Sequence, residues 1–187
     1  MQIIFFIFLI IAFCISLIIS FVPIVFIGQD LWYGKKKNAP FVPAPDVVMG
    51  DLIAHISIAP DSVVYDLGSG DGKVLRALYE KNKTGTFVGI ERGVIPHILA
   101  CIKHRTIQNL SFKRKDFFDI HLSDANVVVL YLFPELLDAL LPKLNTELKA
   151  GAVVYSLDFQ FSERKPDEVI SFDQTRKRGK NLYKYIF

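Results

Sequence analysis

The sequence predicts an α/β fold: a doubly wound, mostly parallel sheet with an antiparallel C-terminal strand pair, preceded by one apolar N-terminal helix. Three observations predict it. Short β-branched runs alternate with stretches of helical periodicity from Asp46 to Leu157, a glycine-rich turn joins the first of these strands to the next helix, and Met1 to Gly28 carries no charged residue. Strands alternating with helices of this length form βαβ units, which require parallel pairing.

The 187 residues suit one compact domain with a sizeable core. Two cysteines, Cys14 and Cys101, do not make a disulfide framework, and no Cys/His group has metal-ligand spacing, which sets aside a secreted disulfide scaffold and a zinc module. Four histidines, at 55, 97, 104 and 121, are scattered without a nucleophile partner and read as structural or surface groups. Lysine plus arginine exceed the acids by only three, 22 against 19. The basic groups Lys103 to Arg105, Lys113 to Lys115 and Arg176 to Lys180 therefore read as solvated faces or contacts to anionic headgroups, and no nucleic-acid partner is expected.

The apolar run over residues 1–28 exceeds the roughly 20 residues needed to cross a bilayer and lacks the basic start and cleavage site of a signal peptide. It reads as an uncleaved transmembrane anchor. Trp32 and Tyr33 follow as interface aromatics, and Lys35, Lys36 and Lys37 then place the domain on the cytoplasmic side by the positive-inside rule. The expected localisation is a single-pass membrane protein with the bilayer as a partner. Residues 29–45 form a basic and proline-rich linker, since the closely spaced prolines in Asn38 to Pro45 forbid a helix. The catalytic domain is expected over 46–187.

Within that domain, Asp46 to Ile56 is apolar at helical spacing and Ser62 to Leu67 is a short strand. Gly72 to Lys81 is helical, Thr86 to Ile90 a strand, Val94 to Ile107 helical and Leu110 to Arg114 a strand. Asn126 to Leu132 is a buried strand, and Pro134 to Leu148 is a helix with proline in its first turn. Gly151 to Leu157 is another buried strand. Glu168 to Phe172 and Leu182 to Phe187 close the chain without an intervening helix, so this last pair is antiparallel.

The turn after the first strand reads Asp66-Leu67-Gly68-Ser69-Gly70-Asp71-Gly72. Such a strand-to-helix turn lets backbone approach a ligand and aims free N–H groups at it. Lys73 stands where a dinucleotide fingerprint would have its third glycine, and Val74 replaces the Ser/Thr of a phosphate-binding P-loop, so both of those ligands are disfavoured. An acid at Asp66 suits instead an amino-acid moiety bearing an ammonium group. Glu91, beside Arg92 at the end of the second strand, lies near the offset at which a carboxylate meets ribose hydroxyls. Asp116 and Phe117 follow the third strand, where a carboxylate accepts from an adenine amine while an aromatic covers the ring.

Asp66 to Gly72, with Glu91 and Asp116, resembles the class I, seven-strand S-adenosylmethionine-dependent methyltransferases, which have a Rossmann-like fold. With Pro-Phe-Val-Pro at 40–43 and Val-Val-Val-Leu-Tyr-Leu-Phe-Pro-Glu at 127–135, the chain is similar to a narrower group. That group comprises small membrane-anchored bacterial methyltransferases and the mitochondrial enzymes that methylate lysines of the ATP synthase membrane-ring protein and the adenine nucleotide translocase. The resemblance implies S-adenosylmethionine as cofactor. It also implies that Gly68, Gly70 and Gly72, with Ser69 and Asp71 between them, approach its methionine part. Glu91 and Arg92 would then meet the ribose, Asp116 and Phe117 the adenine, and Phe41 and Pro43 would close over the cofactor. It further implies a membrane-associated protein as substrate.

Ligands of open parallel sheets bind beyond the carboxyl ends of the strands. There Tyr131, Phe133, Pro134 and Glu135 stand at the fourth tip and Asp158, Phe159 and Phe161 at the fifth. Methyl transfer needs alignment more than a strong base, so Tyr131 and Asp158 are expected to orient the acceptor, with Glu135 behind them, and Tyr131 also to touch the cofactor. The Asn/Asp-Pro-Pro-Tyr/Phe motif of enzymes that methylate base amines is absent, which disfavours a base as substrate; the resemblance, with the apolar segment, implies a lysine of a membrane protein. Lipid, quinone or other small-molecule methylation stays open, as does aminopropyl transfer by a spermidine-synthase-like enzyme. A non-catalytic binding module is disfavoured by the intact glycine turn.

Overall fold

The computed structural model describes residues 2–33 and 42–187, with side chains in the first stretch described over 6–21. The chain divides into two units, Met1–Asn38 and Ala39–Phe187.

The first unit is helix α1, Gln2–Tyr33, which continues past Gly28, where the apolar run was expected to end. The expectation of a transmembrane anchor with a cytoplasmic domain is corrected here: among the described residues no helix is long and apolar enough to cross a membrane. Lys35 to Lys37, on which the orientation rested, lie outside the described residues. Among the described residues nothing shows the bilayer as a partner.

The second unit opens with a 3-10 turn, Asp46–Val48, leading into α2, Met49–His55. It continues through β1 (Val63–Leu67), α3 (Lys73–Lys81), β2 (Thr86–Ile90), α4 (Val94–His104) and β3 (Leu110–Lys113). After β4 (Val127–Leu130), α5 (Pro134–Glu147) and β5 (Val153–Leu157) come β6 (Glu168–Ser171) and β7 (Asn181–Ile186). These form one seven-stranded sheet in the order β3-β2-β1-β4-β5-β7-β6. The first five strands pair in parallel, and β7 runs antiparallel to both β5 and β6. The C-terminal pair is antiparallel as expected, with the last strand inserted between β5 and β6.

Strand residues alternate between two cores, as a pleat of period two requires. Val64, Phe87, Val129 and Tyr155 pack with Leu52 of α2, Ile56 just after it, and Leu75 and Leu78 of α3. Tyr65, Val88, Val128 and Val154 pack with Leu137, Leu140 and Leu144 of α5. Helices thus cover both faces, which is why β1, β2, β4 and β5 are nearly continuous apolar runs. The strand order reverses between β1 and β4, so a ligand crevice is expected beyond the carboxyl ends of that pair.

Candidate active site

The turn from β1 to α3 remains hydrogen-bonded to the neighbouring strand: the N–H groups of Gly68 and Ser69 both donate to the Ile90 carbonyl, at 2.8 and 3.1 Å. Gly68, Gly70 and Gly72 have φ of +85°, +56° and +82°, the left-handed region that side-chain-bearing residues enter at a cost. At Gly72 a Cβ would also run into the Phe112 ring. Ser69 is 6% exposed, and its Oγ has no hydrogen-bond partner. A buried hydroxyl without a partner is costly, so its retention beside a cleft points to a ligand atom.

Carboxylates organise this turn. Glu91, directly after β2, accepts from Gly70 N–H (2.9 Å) and from Gly93 N–H (2.6 Å), so one side chain fixes both the glycine turn and the entry to α4. Asp66, at the end of β1, is buried, and burial together with the nearby Glu91 charge pushes its carboxyl up to about 7. Asp71 binds Lys103 Nζ at 2.5 Å. Burial alone would raise the Asp71 carboxyl, but its bonds and charge contacts with Lys103 and Lys73 outweigh that and lower it. Lys73 in turn binds Asp46 at 2.7 Å, tying the start of α3 to the segment before α2.

An open cleft lies at the β1/β4 switch point, lined by Pro43 and Ala44, by Asp66, Ser69 and Gly70, and by Tyr131. Of the two residues expected to cover the cofactor, Pro43 lines this cleft and Phe41 lies outside the described residues. Glu91, Arg92, Asp116 and Phe117 do not line the cleft itself. Arg92 pairs with Asp116 at 3.2 Å, and Asp116 also accepts from Phe118 N–H, capping the short turn Phe117–Asp119.

Beyond β4 and β5 the rings of Tyr131 and Phe159 stack at 6.4 Å, and Phe133 lies 5.8 Å from Phe159. The Tyr131 hydroxyl is held above its ordinary value, first by burial and then by the Asp158 charge, with Arg178 acting in the opposite sense. Asp158 has φ of 64° and accepts from the N–H groups of Gly179 and Lys180, both at 2.6 Å. Its carboxylate is therefore committed to the loop before β7. Glu135 is exposed in the first turn of α5 and is not brought to the cleft.

Arg176 to Lys180 reads as a solvated charge run, and Lys177 and Arg178 are exposed as that reading expects. The run also turns the chain at the carboxyl end of β5: Leu182 pairs with Leu157, so a strand antiparallel to β5 must begin beside Asp158. Gly179 within the run was the available signal. It is buried at φ +73°, and a Cβ there would strike Val48. Arg176 reaches Asp51 of α2 at 2.5 Å.

A seven-stranded sheet with one reversed strand and a glycine turn at its switch point defines a Rossmann-like methyltransferase fold. The model of the family described as the ANTKMT methyltransferase domain matches residues 66–168, more than half of the chain. A protein-lysine N-methyltransferase of Saccharolobus islandicus (strain REY15A) is 33% identical over 154 residues, covering 80% of this chain and 94% of that protein. The adenine nucleotide translocase lysine N-methyltransferase of Mus musculus is 29% identical over 145 residues, covering 72% of this chain and 59% of that protein. Among solved structures, an RNA methyltransferase from Salinibacter ruber in complex with S-adenosyl-L-homocysteine superposes with a TM-score of 0.70 at 28% identity, covering 78% of this chain and 93% of that one. The chain belongs to the ANTKMT methyltransferase domain family and is an S-adenosylmethionine-dependent methyltransferase.

Proposed function

We propose that this enzyme methylates the side-chain amine of a lysine in a protein. The observation that carries this reading is Tyr131, which lines the cleft beside the glycine turn and also belongs to the aromatic group at the tips of β4 and β5. One residue thus touches both the cofactor region and a place for an acceptor. The relatives named as lysine methyltransferases support the same acceptor class.

The residues present suit S-adenosylmethionine. The unpartnered Ser69 hydroxyl and the glycine backbone offer donors for a carboxylate, and Asp66 and Asp71 offer charge for an ammonium group. In this reading Glu91 and Arg92 hold the ribose, Asp116 and Phe117 the adenine, and Pro43 covers the site. When bound, the cofactor supplies a methyl group on a sulfonium: the amine lone pair forms the N–C bond as the C–S bond breaks, the electron pair stays on sulfur, and the surplus nitrogen proton leaves to water.

The chain's own task is alignment and exclusion of water. Tyr131 offers an oxygen to the amine, while Phe133 and Phe159 enclose an aliphatic stem and shed water from it. Asp158 and Glu135, the other two residues expected to act on the acceptor, do not contact it in this reading.

The test is transfer of tritiated methyl from S-adenosylmethionine into an extract of cells lacking the enzyme, followed by separate protease, nuclease and organic-solvent treatments. Label released by protease alone is expected. Label released by nuclease would favour an RNA acceptor, the class named for the Salinibacter neighbour, and label extracted by solvent would favour a lipid.

A further inference from the structure

The loop between β6 and β7 sorts its cations. Arg176 turns inward to Asp51 of α2 at 2.5 Å, and the buried Gly179 lies against Val48. The N–H groups of Gly179 and Lys180 donate to the Asp158 carboxylate at 2.6 Å, and the Lys180 carbonyl accepts from Phe172 N–H at 2.7 Å. Lys177 and Arg178 are therefore held from both sides. Both are exposed, and among the described residues neither forms an ion pair with an acid.

Their place in the fold is set by Asp158. It directly precedes Phe159, whose ring stacks with Tyr131 at 6.4 Å, and Tyr131 lines the cleft. The two cations thus stand on the rim of the aromatic group proposed to receive the acceptor. The acids around them are engaged: Asp158 by the two N–H groups, Asp51 by Arg176, and Asp173 by Thr175. Glu135 is exposed at the β4 tip, in the first turn of α5. The other exposed basic run, Lys113 to Lys115, follows β3, with β2, β1 and β4 between it and β5.

We propose that Lys177 and Arg178 form a subsite for acidic residues flanking the acceptor lysine, so that the enzyme selects lysines in acidic segments of a protein. The inference rests on the lysine reading above and narrows its substrate class. A rim that carries two cations repels the protonated form of an incoming lysine, and neighbouring carboxylates offset that repulsion. The planar guanidinium of Arg178 suits a carboxylate in a bidentate pair. Because the loop is already anchored, little order is lost when it engages one. Exposed charges act over about 8 Å at physiological salt, so the subsite reads residues close to the lysine and not the partner as a whole.

The test is fluorescence anisotropy of the full chain, with S-adenosylhomocysteine present, against two labelled peptides that share a central lysine, flanked by glutamates in one and by glutamines in the other. The wild type is expected to bind the glutamate peptide about fivefold more tightly at about 0.01 M salt and equally well at about 1 M. Lys177→Glu with Arg178→Glu is expected to reverse the preference, and Lys177→Gln with Arg178→Gln to abolish it. Both double variants should keep S-adenosylmethionine affinity within about twofold of the wild type by calorimetry, since exposed substitutions cost little stability. Equal binding of the two peptides by the wild type, or a preference that persists in the double variants, overturns the proposal.

Tritiated methyl entering the peptides is scored separately. The expected binding preference with no label in the lysine would count against the lysine reading and leave the subsite assigned. Label in the lysine of both peptides at equal affinity would do the reverse.

Discussion

The Glu91 carboxylate accepts the Gly70 N–H at 2.9 Å, joining the acid at the end of β2 to the glycine turn at the end of β1. The same carboxylate takes the Gly93 N–H. The residue expected to meet the ribose therefore also shapes the loop expected to meet the methionine part.

Glu91→Ala removes both bonds and should weaken S-adenosylmethionine binding by tenfold or more, about 1.4 kcal/mol per tenfold. Gly70→Val should do the same by another route, since φ of +56° penalises a β-branched residue and its bulk blocks the backbone. Isothermal calorimetry reads both. Unchanged affinity in the two variants would remove the cleft from the cofactor site.

Glycines in the left-handed region are not equivalent. Gly72 combines φ of +82° with the Phe112 ring in the path of a Cβ, whereas Gly151 has φ of +84° and nothing within 4 Å. Gly72→Ala should cost about 2–4 kcal/mol from strain and overpacking together, and Gly151→Ala about 1–2 kcal/mol from strain alone. Denaturant midpoints measure the difference. Equal losses would contradict the packing described around α3.

Asp66 predicts a pH dependence of stability. Its carboxyl is raised from 3.8 to about 7, by burial first and then by Glu91, so the folded state binds a proton that the unfolded state releases. This contribution is complete below about pH 4 and is lost as pH rises through about 7, with a slope approaching 1.4 kcal/mol per pH unit. Asp66→Asn cannot titrate and should flatten the profile between about pH 4.5 and 7.5. Parallel profiles for the two proteins, by urea unfolding across that range, would contradict the burial of this acid.

Much of this was legible in the sequence because it is local. The alternation of strands and helices, the three glycines at 68, 70 and 72, and the aromatics at 131 and 133 each sit within a few residues of the feature that explains them. What was not legible depends on partners far apart in the chain. Asp158 reads as an acid at a strand tip, but its oxygens are taken by residues 179 and 180. Arg176 reads as solvated, yet it reaches Asp51 of α2 from the loop before β7. Lys73 reads only as a missing glycine, yet it binds Asp46 and lines the cleft. The apolar run of residues 1–28 led to a membrane anchor that the described helix does not support.

The central claim is transfer of methyl to a lysine nitrogen under the control of Tyr131, and the most direct measurement is amino-acid analysis of protein methylated by the purified enzyme with isotope-labelled S-adenosylmethionine. The predicted result is label in N-methylated lysine, lost with Gly70→Val and reduced about tenfold or more with Tyr131→Phe. Label recovered only in another amino acid, or in lysine at equal rates with and without the Tyr131 hydroxyl, would contradict it.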